Sequence, residues 1–118
     1  MELNSQRLKQ AILAALADTD MVKMLDCAMF KDKCVNDIIK ECDIPHTTAY
    51  RKINYLLDQG LIVCTRIEFT EDCKKFSLFK SVFKLLNVKY EHNNLVVQGE
   101  YNIDPIEKIS QKLFSLEQ

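Results

Sequence analysis

His46, Thr47, Tyr50, Arg51 and Asn54 are separated by steps of one, three and four residues. On a helix turning about 100° per residue they share one side. That side carries an imidazole, hydroxyls, a guanidinium and a carboxamide, and no large aliphatic group. Ala49, Ile53, Leu56 and Leu57 gather on another side and read as a core face. Such polar groups are suited to reading the edges of planar bases. Arg can fork onto guanine, Asn can pair doubly with adenine, and Thr offers a hydroxyl or a methyl. The run also opens a helix, where unpaired N–H groups and the dipole attract phosphate. An ordinary solvated face is the plainer alternative, and the face alone does not separate the two. Tyr55 lies opposite His46 and falls outside this set.

The elements around this run bear on that choice. Leu8, Ala11, Ile12, Ala15 and Leu16 predict an amphipathic helix over residues 5–17, capped by Asn4 or Ser5. A second helix over 21–30 is expected, with Asp20 as its cap and Met21, Leu25, Ala28 and Met29 on one face. A third spans 34–42 through Val35, Ile38, Ile39 and Cys42. Asp43-Ile44-Pro45 is a short break, because proline starts a helix but does not continue one. The fourth helix runs from about Pro45 to Gln59, and Gly60 stands where a left-handed helix end is wanted. Beyond Gly60 the apolar period falls to two, with Leu61, Val63, Ile67 and Phe69 alternating with polar residues. Thr70–Lys75 is a polar turn. A second β segment over 76–90 loses its alternation between Lys80 and Leu85, which predicts a bulge or bend. Residues 91–94 form a turn, and a third strand covers 95–101. Asp104-Pro105-Ile106-Glu107 is a helix start, followed by Ile109, Leu113 and Leu116 at regular spacing. Two helices joined by a three-residue break, then a β-hairpin, is the order of a winged helix-turn-helix.

Composition removes other classes. With 118 residues and 47% hydrophobic content, the chain suits one folded domain. Its 2 glycines exclude glycine-rich phosphate loops. No apolar run approaches the roughly 18 residues of a membrane span, and no signal sequence opens the chain, so a cytoplasmic location is expected. The net charge of −1 conceals a gradient. Residues 1–43 carry 6 basic and 8 acidic groups, residues 44–90 carry 8 and 4, and residues 91–118 carry 2 and 5. The basic island coincides with the helix-turn-helix and hairpin.

Five cysteines, Cys27, Cys34, Cys42, Cys64 and Cys73, form no Cys-x-x-Cys pair. Only His46 and His92 could join them, so a zinc finger lacks its ligands. The gaps of seven and eight residues from Cys27 to Cys34 to Cys42 give no converging metal signature. Structural thiols are expected; the competing reading, a metal- or redox-sensing repressor, comes only from the family resemblance given next. No acid, base or metal set points to catalysis, so no enzyme, cofactor or metal is expected.

The run from Asp43 to Ile53, continuing through Leu57-Asp58-Gln59-Gly60-Leu61-Ile62, resembles the helix-turn-helix of archaeal winged-helix transcriptional regulators related to ArsR. In those, an "I-P-x-[ST]-T-A-Y-R-x-I" run opens the recognition helix and "G-L-[IV]" starts the wing. Thr70–Lys75 and Leu78-Phe79-Lys80-Ser81 resemble the family's wing, so the likeness covers about Thr19 to Asn102. It implies that His46, Thr47, Tyr50, Arg51 and Asn54 face the DNA major groove and that Lys52, flanking them, meets phosphate. It implies backbone or minor-groove contacts for Arg66, Lys74 and Lys75. Cys73 departs from the pattern by standing where the wing has glycine. A side chain there resists positive φ, so a differently shaped wing tip is expected.

The expected fold is α+β and mainly helical: a winged helix-turn-helix with an extended β-hairpin and flanking terminal helices. Residues 19–102 form the winged domain, and residues 1–18 and 103–118 are helices expected to dimerise. Two apolar stripes motivate this, Leu8, Ile12 and Ala15 at one end and Ile106, Ile109, Leu113 and Leu116 at the other. Each buried side chain of this kind is worth about 1.5–3 kcal/mol, so each stripe must be covered. Residues 3–17 and 104–117 are expected to build a two-fold homodimer, as the resemblance also implies; the alternative is that the terminal helices fold back on their own core. The expected function is sequence-specific binding of double-stranded DNA in transcription regulation, with an unknown effector. A winged-helix module for protein–protein contact in a transcription or chromatin assembly is the second reading.

Overall fold

The computed structural model describes residues 1–102. Helices α1 (Gln6–Leu16), α2 (Thr19–Cys27), α3 (Val35–Cys42) and α4 (His46–Asp58) precede most of the strands. Strands β2 (Ile62–Phe69) and β3 (Lys75–Ser81) form one antiparallel hairpin. Strands β4 (Phe83–Glu91) and β5 (Asn94–Tyr101) form another, which β1 (Glu2–Leu3) joins in the order β1-β5-β4. The fold is an α+β winged helix-turn-helix.

Local chemistry sets the helix ends. Ser5 caps α1 by accepting from the Leu8 amide at 3.3 Å. Asp18, not Asp20, caps α2, because it is the residue in extended conformation and its carboxylate accepts from the Met21 amide at 3.0 Å. That moves the helix two residues earlier than the sequence predicts. Asp43, at φ 54°, ends α3 in the left-handed region, which a short polar side chain tolerates. Ile44, 5% exposed, then plugs the core between α3 and α4. At the far end of α4, Gly60 takes φ 77° as expected. The Leu61 amide donates to the Leu56 carbonyl at 2.9 Å and the Gly60 amide to the Leu57 carbonyl at 3.1 Å. This paired bonding turns the chain out of the helix and into β2, with Leu56 and Leu61 both buried.

The single segment expected over 76–90 is two strands in two sheets. Val82 alone separates them, and the lost alternation marks this exchange. The junction is pinned. The Ser81 amide donates to the Ala28 carbonyl at 2.9 Å, its hydroxyl to the Leu25 carbonyl at 2.6 Å, and the Val82 amide to the Leu61 carbonyl at 3.0 Å. A register shift in β4 between Phe83 and Leu85 adds a bulge just beyond it. The expected turn holds as a two-residue loop, His92 and Asn93, both at positive φ.

The core runs from the sheet of β1, β5 and β4 through α1 and α2 to the buried face of α4. Its centre includes Ile12, Met24, Ile38, Ile53, Leu56, Leu61 and Val97. The α1 stripe expected to meet a second copy is therefore largely covered by the chain itself. Ala11, Ile12 and Ala15 are buried and Leu8 packs on the same cluster, so α1 belongs to the domain, not to a separate arm. The C-terminal helix expected over 104–117 lies outside the described residues.

Candidate nucleic-acid interface

Helix α4 buries Ala49, Ile53 and Leu56 and turns the opposite side outward. His46, Thr47, Tyr50, Arg51 and Asn54 are all exposed there. The five side chains singled out by spacing thus share one open face, beginning at the helix N-terminus. Pro45 stands at the N-cap, with its φ of −57° and extended ψ leading into the helix, and supplies no capping side chain. The first amides of α4 are left without an Asp, Ser or Thr cap.

Beside this face stands the β2–β3 wing. Tyr50, the start of α3 at Cys34, Val35 and Asn36, and the wing residues Thr70, Phe76, Ser77 and Phe79 line a cleft of about 490 Å³. Lys33 fixes the distance between helices and wing by exchanging both backbone hydrogen bonds with Phe79, at 2.9 and 2.8 Å. A bulge at Thr65 turns that hydroxyl inward to Asp32 at 2.7 Å, where the residue is buried.

The wing tip keeps the shape that a glycine would give it. Cys73 adopts φ 62° despite its side chain, so the expected change of shape does not occur. Its amide donates to the Thr70 carbonyl at 2.9 Å, and the Thr70 amide to the Lys74 carbonyl at 2.9 Å. The Lys74 amide donates to the Thr70 hydroxyl at 3.1 Å. Three hydrogen bonds hold the turn, and Lys74 and Lys75 are both exposed.

Two residues of the expected interface, Lys52 and Arg66, hold carboxylate partners within the chain. Lys52 points across the helix from the polar face, to the N-terminus of α2. Its ammonium donates to Asp18 at 2.9 Å and to Asp20 at 2.8 Å, and 11% of the side chain is exposed. The two carboxylates hold the Lys52 ammonium above the ordinary lysine range, and Lys52 in turn lowers the Asp18 carboxyl. It is an internal tie between α4 and α2. Arg66 is exposed, and its guanidinium lies 3.2 Å from Asp32 in the connector between α2 and α3 and 2.9 Å from Glu68 on the wing, so it already holds two carboxylate partners. The Lys52 pairing was beyond reach of spacing arguments, since its partners lie 32 and 34 residues away.

The other basic residues of 44–90 differ in their partners. Of the basic residues in 44–90, Lys84 lies 3.6 Å from Glu100 and Lys89 lies 3.1 Å from Glu91, while Lys80 is buried. Arg51, Lys74 and Lys75 are exposed and hold no ion pair among the described residues. All three stand on α4 or the wing tip.

The thiols occupy other ground. Cys27 donates to Glu41 at 2.7 Å, and Lys33 also donates to that carboxylate. Burial, with the Glu41 carboxylate beside it, pushes the Cys27 thiol up to about 12. Burial also raises the Cys42 thiol. Among the described residues, no three of His, Cys, Asp and Glu converge as metal ligands, and no helix is long and apolar enough to cross a membrane.

No protein-family model and no curated protein matches the chain. Solved structures do. An ArsR family transcriptional regulator aligns over 97% of this chain and 91% of its own, at 14% identity and a TM-score of 0.45. NolR from Sinorhizobium fredii aligns over 98% and 96%, at 12% identity and a TM-score of 0.44. At such values the winged-helix assignment rests on the order and pairing of this chain's own elements.

Proposed function

We propose that the chain is a sequence-specific transcriptional regulator of the cytoplasm that binds double-stranded DNA. In this reading α4 enters the major groove with His46, Thr47, Tyr50, Arg51 and Asn54 toward the bases, and the wing brings Lys74 and Lys75 to the backbone. The observation that carries it is the distribution of open positive charge. Among the described residues of 44–90, the exposed cations without an ion pair are Arg51, next in sequence to Tyr50, and Lys74 and Lys75, which precede Phe76; Tyr50 and Phe76 line the cleft between α4 and the wing. Phosphate contacts position such a protein and base contacts specify its site. The likeness of residues 43–62 to archaeal ArsR-related regulators supports the same reading.

The regulator acts as a homodimer, since two recognition helices about one DNA turn apart double the contact and fix the half-site spacing. With the α1 stripe covered, pairing falls to the outer side of α1, where Ala14, Leu16 and Ala17 are exposed, and to residues 104–117. Light scattering at micromolar concentration tests this, and a monomeric mass would refute it.

A salt titration of binding to genomic fragments tests the function. Phosphate neutralisation makes affinity fall steeply with salt. No retention of DNA at low salt would favour protein–protein contact instead. Ile67 and Phe69, 46% and 68% exposed on the wing, are the observation favouring that second reading.

A further inference from the structure

The sheet of β1, β5 and β4 ends differently on its two sides. On one side the two-residue strand β1 covers β5. On the other, β4 is the last strand, and among the described residues nothing but β5 pairs with it. Hydrogen-bond alternation identifies its open groups. The Gly99 amide donates to the Met1 carbonyl at 2.8 Å, so Gly99 faces β1. Gly99 stands opposite Leu86, which makes these two a pair without hydrogen bonds between β5 and β4. Leu86 therefore turns its own N–H and C=O away from β5. Bonding alternates along an antiparallel strand, so Val88 and Tyr90 do the same, while Asn87, Lys89 and Glu91 bond to β5. The tight hairpin agrees, because Glu91 and Asn94 close its two-residue loop as a hydrogen-bonded pair.

Proteins blunt a long open edge with proline, a bulge or an unmatched charge. Residues 85–91 contain no proline, and the register shift lies before them, between Phe83 and Leu85. Lys89, the one cation among them, lies 3.1 Å from Glu91, which offsets its charge.

We infer that this edge is a self-association surface: it pairs antiparallel with the same edge of a second copy, around a two-fold axis at Val88. The strand's own sequence selects that partner. A two-fold axis perpendicular to the sheet must set open residues against open residues. Centred on Val88, it pairs the whole regular stretch 85–91 with its copy. Leu86 of each copy stands opposite Tyr90 of the other, Asn87 opposite Lys89, Leu85 opposite Glu91, and Val88 opposite itself. No two like charges face each other, and the Tyr90 ring, 75% exposed, gains an aliphatic neighbour. Three open N–H and three open C=O groups on each copy give about six backbone hydrogen bonds across the axis. An unrelated extended peptide would meet the same backbone groups without these side-chain pairs. The contact uses neither α4, the β2–β3 wing nor α1. It is therefore independent of DNA binding, and it adds a second two-fold contact that joins one homodimer to the next.

Amide hydrogen exchange on the full chain tests it. The Leu86, Val88 and Tyr90 amides should exchange several-fold more slowly at millimolar than at micromolar protein, because association shields them by mass action. The Asn87 and Lys89 amides, already bonded to β5, should not change. Fast exchange of the three open amides at every concentration would overturn the inference. Slow exchange at every concentration would overturn it too, because the chain would then be covering its own edge. Nuclear Overhauser spectra of mixed, differently labelled copies give the register. A cross-peak is expected from the Asn87 Hα of one copy to the Lys89 Hα of the other, a contact that two residues of one extended strand are too far apart to make. Its absence at millimolar protein would overturn the pairing. Val88→Pro removes one open N–H, which an edge strand tolerates on its outer side. In sedimentation at equal concentration this variant should lose the largest assembly that the parent forms, and an unchanged mass distribution would contradict the inference.

Discussion

Replacing Cys73 with glycine should stabilise the protein. Cys73 is held at φ 62° by the hydrogen bonds of the wing turn, and its thiol is exposed. A side chain in the left-handed region costs about 1–2 kcal/mol. Glycine removes that cost but brings a more flexible unfolded chain, worth about 0.5–1 kcal/mol in the other direction. No buried contact is lost, so the balance favours Cys73→Gly by about 0.5–1 kcal/mol. For a domain of this size that corresponds to a Tm higher by about 2–5 °C. Urea denaturation under reducing conditions should show a higher midpoint at unchanged slope, meaning that stability moved and the exposed surface did not. Cys73→Ala keeps a Cβ and should stay near the parent midpoint, whereas Cys73→Val should fall below it. A Cys73→Gly midpoint equal to or below the parent would refute the reasoning, because it would mean that residue 73 is not strained in solution. Lys74 and Lys75 keep their places in the turn, so DNA affinity should change little.

Arg51→Ala should weaken specific DNA binding by about 1–3 kcal/mol and relax preference at one base position, measured by competition among operator variants. A uniform loss across sequences would reassign Arg51 to phosphate. Changing Lys74 and Lys75 together to Ala should reduce the slope of log affinity against log salt by about two, without altering sequence preference. An unchanged slope would turn the wing away from DNA. Asp18→Asn should destabilise the protein at neutral pH by removing the charge that Lys52 holds. The Asp18 carboxyl lies below its ordinary 3.8 in the folded state, so its contribution is present above that value and is lost as pH falls through the folded pKa. The gap between parent and variant urea midpoints should therefore shrink in acid, and a gap unchanged well below pH 3.8 would contradict the pairing. Cys27, with its thiol pushed up to about 12, should react with iodoacetamide at pH 8 slower than an ordinary thiol by roughly two to three orders of magnitude. Peptide mapping that finds Cys27 modified as fast as exposed Cys73 would remove the Glu41 contact.

The face of α4 was legible because a helix displays its sequence at a fixed angle. Periodicity alone put Ala49 and Ile53 inward and Arg51 and Asn54 outward. The same geometry could not say what lies opposite Lys52, because Asp18 and Asp20 reach it only through the tertiary packing of α2. On α1, spacing showed that Ile12 and Ala15 must be covered. Which surface covers them depends on β1 and β5, and a two-residue strand such as Glu2–Leu3 leaves no period to read. The exchange of sheets at Val82 was blurred for another reason. Residues on both sides favour strands, and no glycine or proline punctuates the join. At Cys73 the propensity of the residue opposed the turn, and the hydrogen bonds of Thr70 prevailed.

The junction at Val82 also determines where the length of this chain can vary. Strands β3 and β4 belong to different sheets, yet a single residue separates them. An inserted residue there would have to be absorbed by one strand or the other. Entering β4, it would exchange the inner and outer faces of the strand, because side chains alternate with a period of two. Val88, opposite buried Val97, would turn outward, and Lys89 would turn toward the core. Entering β3, it would displace Ser81 from the carbonyls of Leu25 and Ala28. The loop at His92 and Asn93 has no such restriction, because it lies at an exposed hairpin end. Descendants of this sequence can lengthen the second hairpin at its tip, but the connection between the two hairpins must keep its length.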